Sequence, residues 1–511
     1  MLYDTFTCNV TRLSAEVARL TGRIIRKAPL AAMLVVAAVA CAGVTAAHAP
    51  NLRPALLTRA DSAFTDTLQH RTFLYFWETA NPRNGLVPDR WPTPSFSSVA
   101  AVGFALTSYP IGVEHGWITR EQAQQRVLTT LRFFWNAPQG AQRSGVTGYH
   151  GFFYHFLDME RGERFENVEL STVDTSLLLA GALFCRQYFD DASAGDSTIR
   201  ALADSLYYRA DWNWARDGDS TLSMGWRPDS AKYQNSRGFI ETHWRGYDEG
   251  MLVYILALGS PTHAIPANAW RNWTATYRWA DFGGEEFLQF PPLFGHQYSH
   301  VWIDFRGIAD SYMRARGSDY FENSRRAVQS QRRYAIANPG GWRGYDANTW
   351  GLSASDGPVD STITIDGRER TFHTYWARGA AAGEVRDDGT IAPTAAGGSV
   401  AFAPEIAIPA LRHMRTQYGD ALFSRYGFVD AFNPTLDFPV TPLHHGYIVP
   451  GLAWFDRDYL GIDQGPIVSM TENERTGMIW RRMRDNPYIV KGLCRAGFGG
   501  GWMAQRCGAA E

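Results

Sequence analysis

The sequence predicts an all-α domain arranged as a toroid of helix pairs, and three observations carry that reading. Segments with apolar residues at helical spacing recur about ten to twelve times. They alternate with irregular connectors rich in glycine and aromatic residues. Strand-like alternation is scarce, and no linker or sharp change of composition follows residue 55. A chain of 511 residues could hold three average domains, yet this one reads as a single core. Helical period does not by itself separate a toroid from a bundle or a solenoid.

Taken in order, Ala55–Glu78 has helical spacing and stops before Asn81-Pro82. Ser97–Thr107 is apolar and small. Thr119–Trp135 opens on Thr119 with Gln122 three residues on, a capping-box pattern in which each residue satisfies the other's free backbone group. Ser171–Phe189 repeats the arrangement, with Ser171 or Thr172 as cap and Asp174 in the first turn. Further helices are predicted over Ser197–Trp212, Glu249–Leu258, Pro266–Trp279, Ser299–Arg316, Asp319–Ala337, Pro404–Tyr418 and Gly465–Met483. One hairpin is expected over Ser361–Thr374, turning at Asp366-Gly367.

The N-terminus reads as an export leader, residues 1–49, ahead of a single domain over 50–511. Arg19, Arg23, Arg26 and Lys27 precede an apolar run from Leu30 to Val44, and small residues follow at Ala46, Ala47 and Ala49. The run is too short for a comfortable membrane span. Cys41 is an alternative lipid-attachment site, the sole membrane link expected. The mature chain is thus expected in the periplasm or outside the cell. Cys185 sits in an apolar helical run, while Cys494 and Cys507 lie close together in a Gly-rich tail and could pair after export.

A net charge of −2 and the lack of a basic stripe exclude nucleic acid as a partner. The 18 Trp, 23 Tyr and 29 Phe are more rings than a core needs, and rings with a polar handle suit half-apolar, half-wet ligands such as sugars. The stretch Gly238–His263 gathers Glu241, Asp248, Glu249, His243, Trp244 and Tyr247 just before an apolar run, Met251–Leu258. Carboxylates there either cap the helix or are desolvated enough to keep a proton, which suits a general acid. Asp463 and Gln464 precede Gly465-Pro466, and Asp463 reads either as a cap or as an ionised base. Glu169 lies in a connector and Asp174 in the following turn. His150 lies in a ring-rich stretch, Gly148–Met159, and Asp356 at a turn tip in Trp350–Pro358. His296 and His300 are four apart but lack a third ligand, so no metal and no cofactor is expected; Gln297, His300 and Arg306 read instead as hydrogen-bonding groups for a polar ligand. There is no nucleophile elbow, phosphate loop or dinucleotide fingerprint. Paired carboxylates among rings fit glycoside hydrolysis.

The blocks ELSTVDTSLLLAGAL, GYDEGMLVYILALGSPTH, GHQYSHVWIDFRG, WGLSASDGP, DGTIAPTAA and GIDQGPIVSMTEN resemble the glycoamylase-like domain. The chain is most similar to bacterial endo-β-1,2-glucanases of glycoside hydrolase family 144, over roughly Phe73–Trp480. The resemblance implies an (α/α)6 toroid with long cleft-forming loops, and inverting hydrolysis of linear β-1,2-glucan. It places the family's acids on Glu249, Asp463 and Asp174. The expectation is therefore Glu249 as general acid, partly buried by Trp244 and Tyr247, and Asp463 as base, with Asp174 and Glu169 binding sugar or tuning Glu249. The expected substrate-binding set is Glu169, His150, Trp244, Tyr247, Gln297, His300, Arg306, Asp356 and Gln464. Asp248 stands where Asn is common and Gly250 where Ala is common, and Val359–Val385 and Thr435–Arg457 look longer than usual. A transglycosylase, an exo-acting hydrolase, a lyase on the same toroid and a non-catalytic glycan binder are the competing classes.

Overall fold

The computed structural model describes residues 58–228, 238–440 and 442–509; the expected leader and Cys41 lie outside them. The described helices are α1 (Arg59–Thr79), α2 (Val99–Glu114), α3 (Arg120–Asn136), α4 (Thr172–Tyr188), α5 (Ala194–Arg209), α6 (Gly250–Gly259), α7 (Asn268–Thr274), α8 (Tyr298–Trp302), α9 (Ser311–Ala315), α10 (Tyr320–Ala337), α11 (Pro393–Gly397), α12 (Pro404–Tyr418), α13 (Gly461–Arg475), α14 (Met478–Met483) and α15 (Pro487–Arg495). None is long and apolar enough to cross a membrane.

The toroid is present. α2 packs on α4, α4 on α6, α6 on α8, and α13 closes against both α8 and α2. α11 completes the inner ring: it packs on α13, and the Gln297 amide before α8 donates to Ala395 O and Ser399 Oγ at 2.9 Å each. Every residue of α6 is buried, as is nearly all of α2 and α4, because these helices are covered on all sides. The outer helices α1, α3, α5, α10, α12 and α15 bury one face each, with α15 packed on α6 and α5 on α4.

Several local expectations hold. Thr119 and Gln122 form the capping box of α3, and the Ser171 hydroxyl caps α4 at the Asp174 N–H. The hairpin pairs Ser361–Ile365 with Arg368–Phe372, and both turn residues, Asp366 and Gly367, take positive φ. Cys494 and Cys507 are joined, and Cys185 is buried.

Other boundaries move for identifiable reasons. α2 runs past the predicted end at Thr107, carrying Pro110 inside it. The carbonyl that proline leaves free, Leu106 O, accepts instead from the Cys185 thiol at 3.1 Å. The predicted Ser299–Arg316 helix is two short ones, because Asp304 turns the chain by accepting from the Arg306 N–H at 3.1 Å and from its guanidinium at 2.8 Å. α13 starts at Gly461 rather than Gly465, which puts Asp463 inside its first turn. Pro266–Trp279 is helical over Asn268–Thr274 only and ends in a strand pair, Trp279–Phe282 with Glu285–Leu288. Small sheets unforeseen in the sequence line the connectors; one orders 148–149, 152–154, 170–171 and 225–226 side by side.

Candidate active site

The inner helices α2, α4, α6 and α13 begin at one end of the ring, and the acids collect there. Asp174 and Asp463 hold the same position, third in the first turn of α4 and of α13. Glu249 is the residue immediately before α6. It is anchored by Ser299, whose hydroxyl donates to Glu249 O at 3.3 Å and accepts from the Leu252 N–H at 3.1 Å. A Cβ on Gly250 would lie 2.7 Å from Asp248 Oδ1 and 2.9 Å from the Trp244 ring, so a residue without a side chain follows Glu249.

Two acidic groups result. In the first, the His155 ring sits between two carboxylates, 2.8 Å from Glu169 Oε1 and 3.5 Å from Asp174 Oδ1. Against the cost of burial, the Asp174 charge and the Glu169 hydrogen bond raise His155 to about 9. Burial opposes ionisation of Glu169 too, but its bond with His155 holds it down to about 2. Asp174 moves up through burial, His155 and the Ser171 hydroxyl offsetting part of the effect. Beside it Glu249 is buried, its Oε2 has no partner among the described residues, and desolvation with the nearby Asp174 charge pushes it up to about 7.

The second group surrounds Asp463. The strand pairing of Arg90 with Leu460 brings Asp89 and Arg90 to the start of α13. Arg90 Nη1 lies 2.6 Å from Asp356 Oδ2. Asp356 is set by its own N–H donating to Asp430 Oδ2 at 2.6 Å, and by the buried Arg378, which donates to Ser355 O at 2.8 Å and holds Asp388 at 2.6 Å. Burial raises Asp463 to about 7, with a hydrogen bond from Asp430 pulling the other way. Asp456 and Asp458 complete the set, and His445 Nε2 is 3.9 Å from Asp356.

Tyr298, 5% exposed at the start of α8, lies within the field of both groups. Burial raises its hydroxyl, and the charges of Asp463, Glu249 and Asp174 add to that shift. Tyr375, from the Val359–Val385 segment, is likewise within the field of Asp463 and Asp430. Through Tyr375 and His445 both of the longer connectors reach this end of the ring.

The family model named Glycoamylase ("Putative glucoamylase") matches residues 241–487. The crystal structure of the "putative glucoamylase" of Bacteroides fragilis NCTC 9343 superposes with a TM-score of 0.72 at 30% identity, covering 88% of this chain and 100% of that one. This chain belongs to the glycoamylase-like family. Within it, the endo-β-1,2-glucanase of Chitinophaga pinensis, solved with sophorotriose and glucose, has a TM-score of 0.72 at 28% identity over 86% of this chain and 99% of its own. The exo β-1,2-glucooligosaccharide sophorohydrolase (non-reducing end) of Parabacteroides distasonis is 29% identical over 85% of this chain; the glycoamylase-like chain spans 57% of that protein's length.

Glu249, Asp463, Asp174, Glu169 and Asp356 therefore gather at one end of the ring. Several expected substrate contacts do not join them. His300 is 1% exposed, bonded to Ser324 Oγ at 3.1 Å and packed among Phe305 and Phe402, and burial drops it to about 3. Gln297 is spent on the α8–α11 joint. Arg306 pairs with Asp304 and stacks over Trp480, past the far end of α13 from Asp463. Gln464 donates to Phe428 O at 2.9 Å inside the core. Trp244 donates to Thr172 Oγ1 at 2.9 Å and Tyr247 stacks on Tyr320, so both brace the approach to Glu249 from within. His150 stacks on Trp214 at the tip of the turn between strands 148–149 and 152–154, where a separate surface hollow is lined by Arg209, Asp211 and His263. Sequence reasoning missed His155, Arg90, Asp430, Tyr298 and Tyr375. His155 stood inside a quoted ring-rich stretch; for Arg90, whose partner Asp356 is 266 positions away, no local signal existed.

Proposed function

We propose that this protein is a glycoside hydrolase that cleaves linear β-1,2-glucan within the chain, with inversion at the anomeric carbon. The observation that carries the reading is Glu249: a buried carboxyl with one oxygen unpartnered among the described residues, at the ring end where its charge and that of Asp463 both act on the Tyr298 hydroxyl. Glu249 gives its proton to the glycosidic oxygen, directly or through a substrate hydroxyl, as the C1–O bond breaks. Water attacks C1 from the opposite side and loses its proton to Asp463. Asp174 and Glu169 hold sugar hydroxyls, and Asp174 keeps Glu249 protonated by its charge.

The relatives named above support β-1,2-linked glucose as substrate. The sophorohydrolase favours a second reading, exo-action releasing sophorose from the non-reducing end. Incubation with linear β-1,2-glucan and a panel of other glucans, with products followed by chromatography and by proton NMR of the first-formed anomer, tests the whole proposal. α-Anomeric sophoro-oligosaccharides of mixed length support it; sophorose alone from the start supports the exo reading. Cyclic or larger products point to transglycosylation, and an untouched panel overturns hydrolysis. The leader sequence further supports export, which N-terminal sequencing of the mature protein would check.

A further inference from the structure

We propose that Asp356, Asp430 and Asp456 form a calcium site beside Asp463. The three residues are 1%, 2% and 0% exposed, and one carboxylate oxygen from each lies within 4.8 Å of one from both others. Their hydrogen bonds divide in the same way. Asp356 Oδ2 accepts from Arg90 Nη1 at 2.6 Å, Asp430 Oδ2 accepts from the Asp356 N–H at 2.6 Å, and Asp456 Oδ1 accepts from the Arg457 N–H at 2.7 Å. The remaining oxygens are Asp356 Oδ1, Asp430 Oδ1 and Asp456 Oδ2; those of Asp356 and Asp456 are buried with no hydrogen-bond partner among the described residues, while the Asp430 carboxyl also pairs with Asp463. Three buried carboxyl groups this close can all ionise only if a positive charge lies among them. Arg90 is already committed to the opposite oxygen of Asp356.

The donor set selects the ion. Carboxylate oxygens are hard ligands, which suit calcium or magnesium rather than zinc or copper. Oxygens separated by up to 4.8 Å fit around an ion with bonds of about 2.3–2.6 Å. Magnesium keeps most of its water and needs room for it, whereas calcium accepts an irregular, protein-rich shell. Asp356 also groups with His445 and Asp458. Asp458 is less free, since its Oδ1 accepts from the Thr93 N–H at 3.0 Å and its Oδ2 faces Arg90 at 3.7 Å.

The test uses the whole protein, stripped with EDTA and returned to metal-free buffer without any sugar present. Calorimetric titration with calcium chloride should show one ion per chain, and saturating calcium should raise the melting temperature by about 3 °C or more. Asp456→Asn, confirmed as folded by circular dichroism, should weaken calcium binding at least tenfold. Terbium luminescence of the wild-type protein supplies a reading that needs no variant: lifetimes in light and heavy water should report about three or fewer coordinated waters. No calcium uptake overturns the proposal, as does uptake unchanged in folded Asp456→Asn, a fully hydrated terbium ion, or a response to zinc alone. Because no glucan is used, these outcomes are independent of whether the protein hydrolyses β-1,2-glucan.

Discussion

His155 Nδ1 lies 2.8 Å from Glu169 Oε1 while its Nε2 stands 3.5 Å from Asp174 Oδ1, so one ring bridges the connector and the first turn of α4. Its folded-state pKa, about 9, is above the ordinary value of 6.5. The stabilisation is complete below about pH 6.5 and is lost as the pH rises through 9. His155→Gln leaves Asp174 without its counter-charge and should cost about 3 kcal/mol at pH 6, of the order seen when one partner of a buried pair is removed. The deficit should shrink at pH 9.5 and above. Urea unfolding at the two pH values measures it.

Glu249→Gln should lower kcat by about a hundred- to ten-thousand-fold on β-1,2-glucan, with the fold intact. The same variant should become more stable than the parent in alkali. Because burial raises the Glu249 pKa from 4.5 to about 7, keeping it folded is free of penalty below 4.5 and costs up to about 3 kcal/mol once the group ionises above 7. Melting temperatures at pH 5 and pH 8.5 should therefore nearly match at the first and favour Glu249→Gln at the second.

Asp463→Asn should likewise reduce kcat by about a hundredfold or more while leaving KM within a few-fold, since the residue is assigned to water rather than to sugar. Steady-state kinetics on purified oligosaccharides decides this. A variant with raised KM and unchanged kcat would reassign Asp463 to binding.

The Cys494–Cys507 bond closes a short loop, 13 positions in sequence, that ties the tail to α15. In the chain-entropy account a loop of this size is worth about 3 kcal/mol. Cys494→Ser should lower the denaturant midpoint for the segment packed on α6, read by hydrogen exchange at α15 amides. Activity should change much less, because the tail is at α15 and the acids are at the starts of α4, α6 and α13.

The toroid was legible because its helices announce themselves locally: Thr119 with Gln122 and Ser171 with Asp174 carry their caps in the sequence. Helix ends were less so. Pro110 reads as a stop until the thiol of Cys185, from a different helix, satisfies the carbonyl it frees. The same division holds for the site. Glu249, Asp174 and Asp463 stand at helix starts, where a carboxylate before an apolar run is visible in one dimension. Arg90 and Asp430 act only through partners brought up by the ring's closure. Gln297, His300 and Arg306 misled because polar residues in a ring-rich block look alike whether they meet a ligand or tie the core. Here Ser399, Ser324 and Asp304 take them up.

The bond from the Cys185 thiol to Leu106 O also bears on oxidation. Three cysteines lie among the described residues, and random oxidation of an unfolded chain could join any two. Once α2 and α4 have zipped together, the Cys185 sulfur is walled off and already donating its proton, so among the described cysteines Cys494 and Cys507 are left to each other. Helix docking thereby acts as a chaperone for disulfide choice.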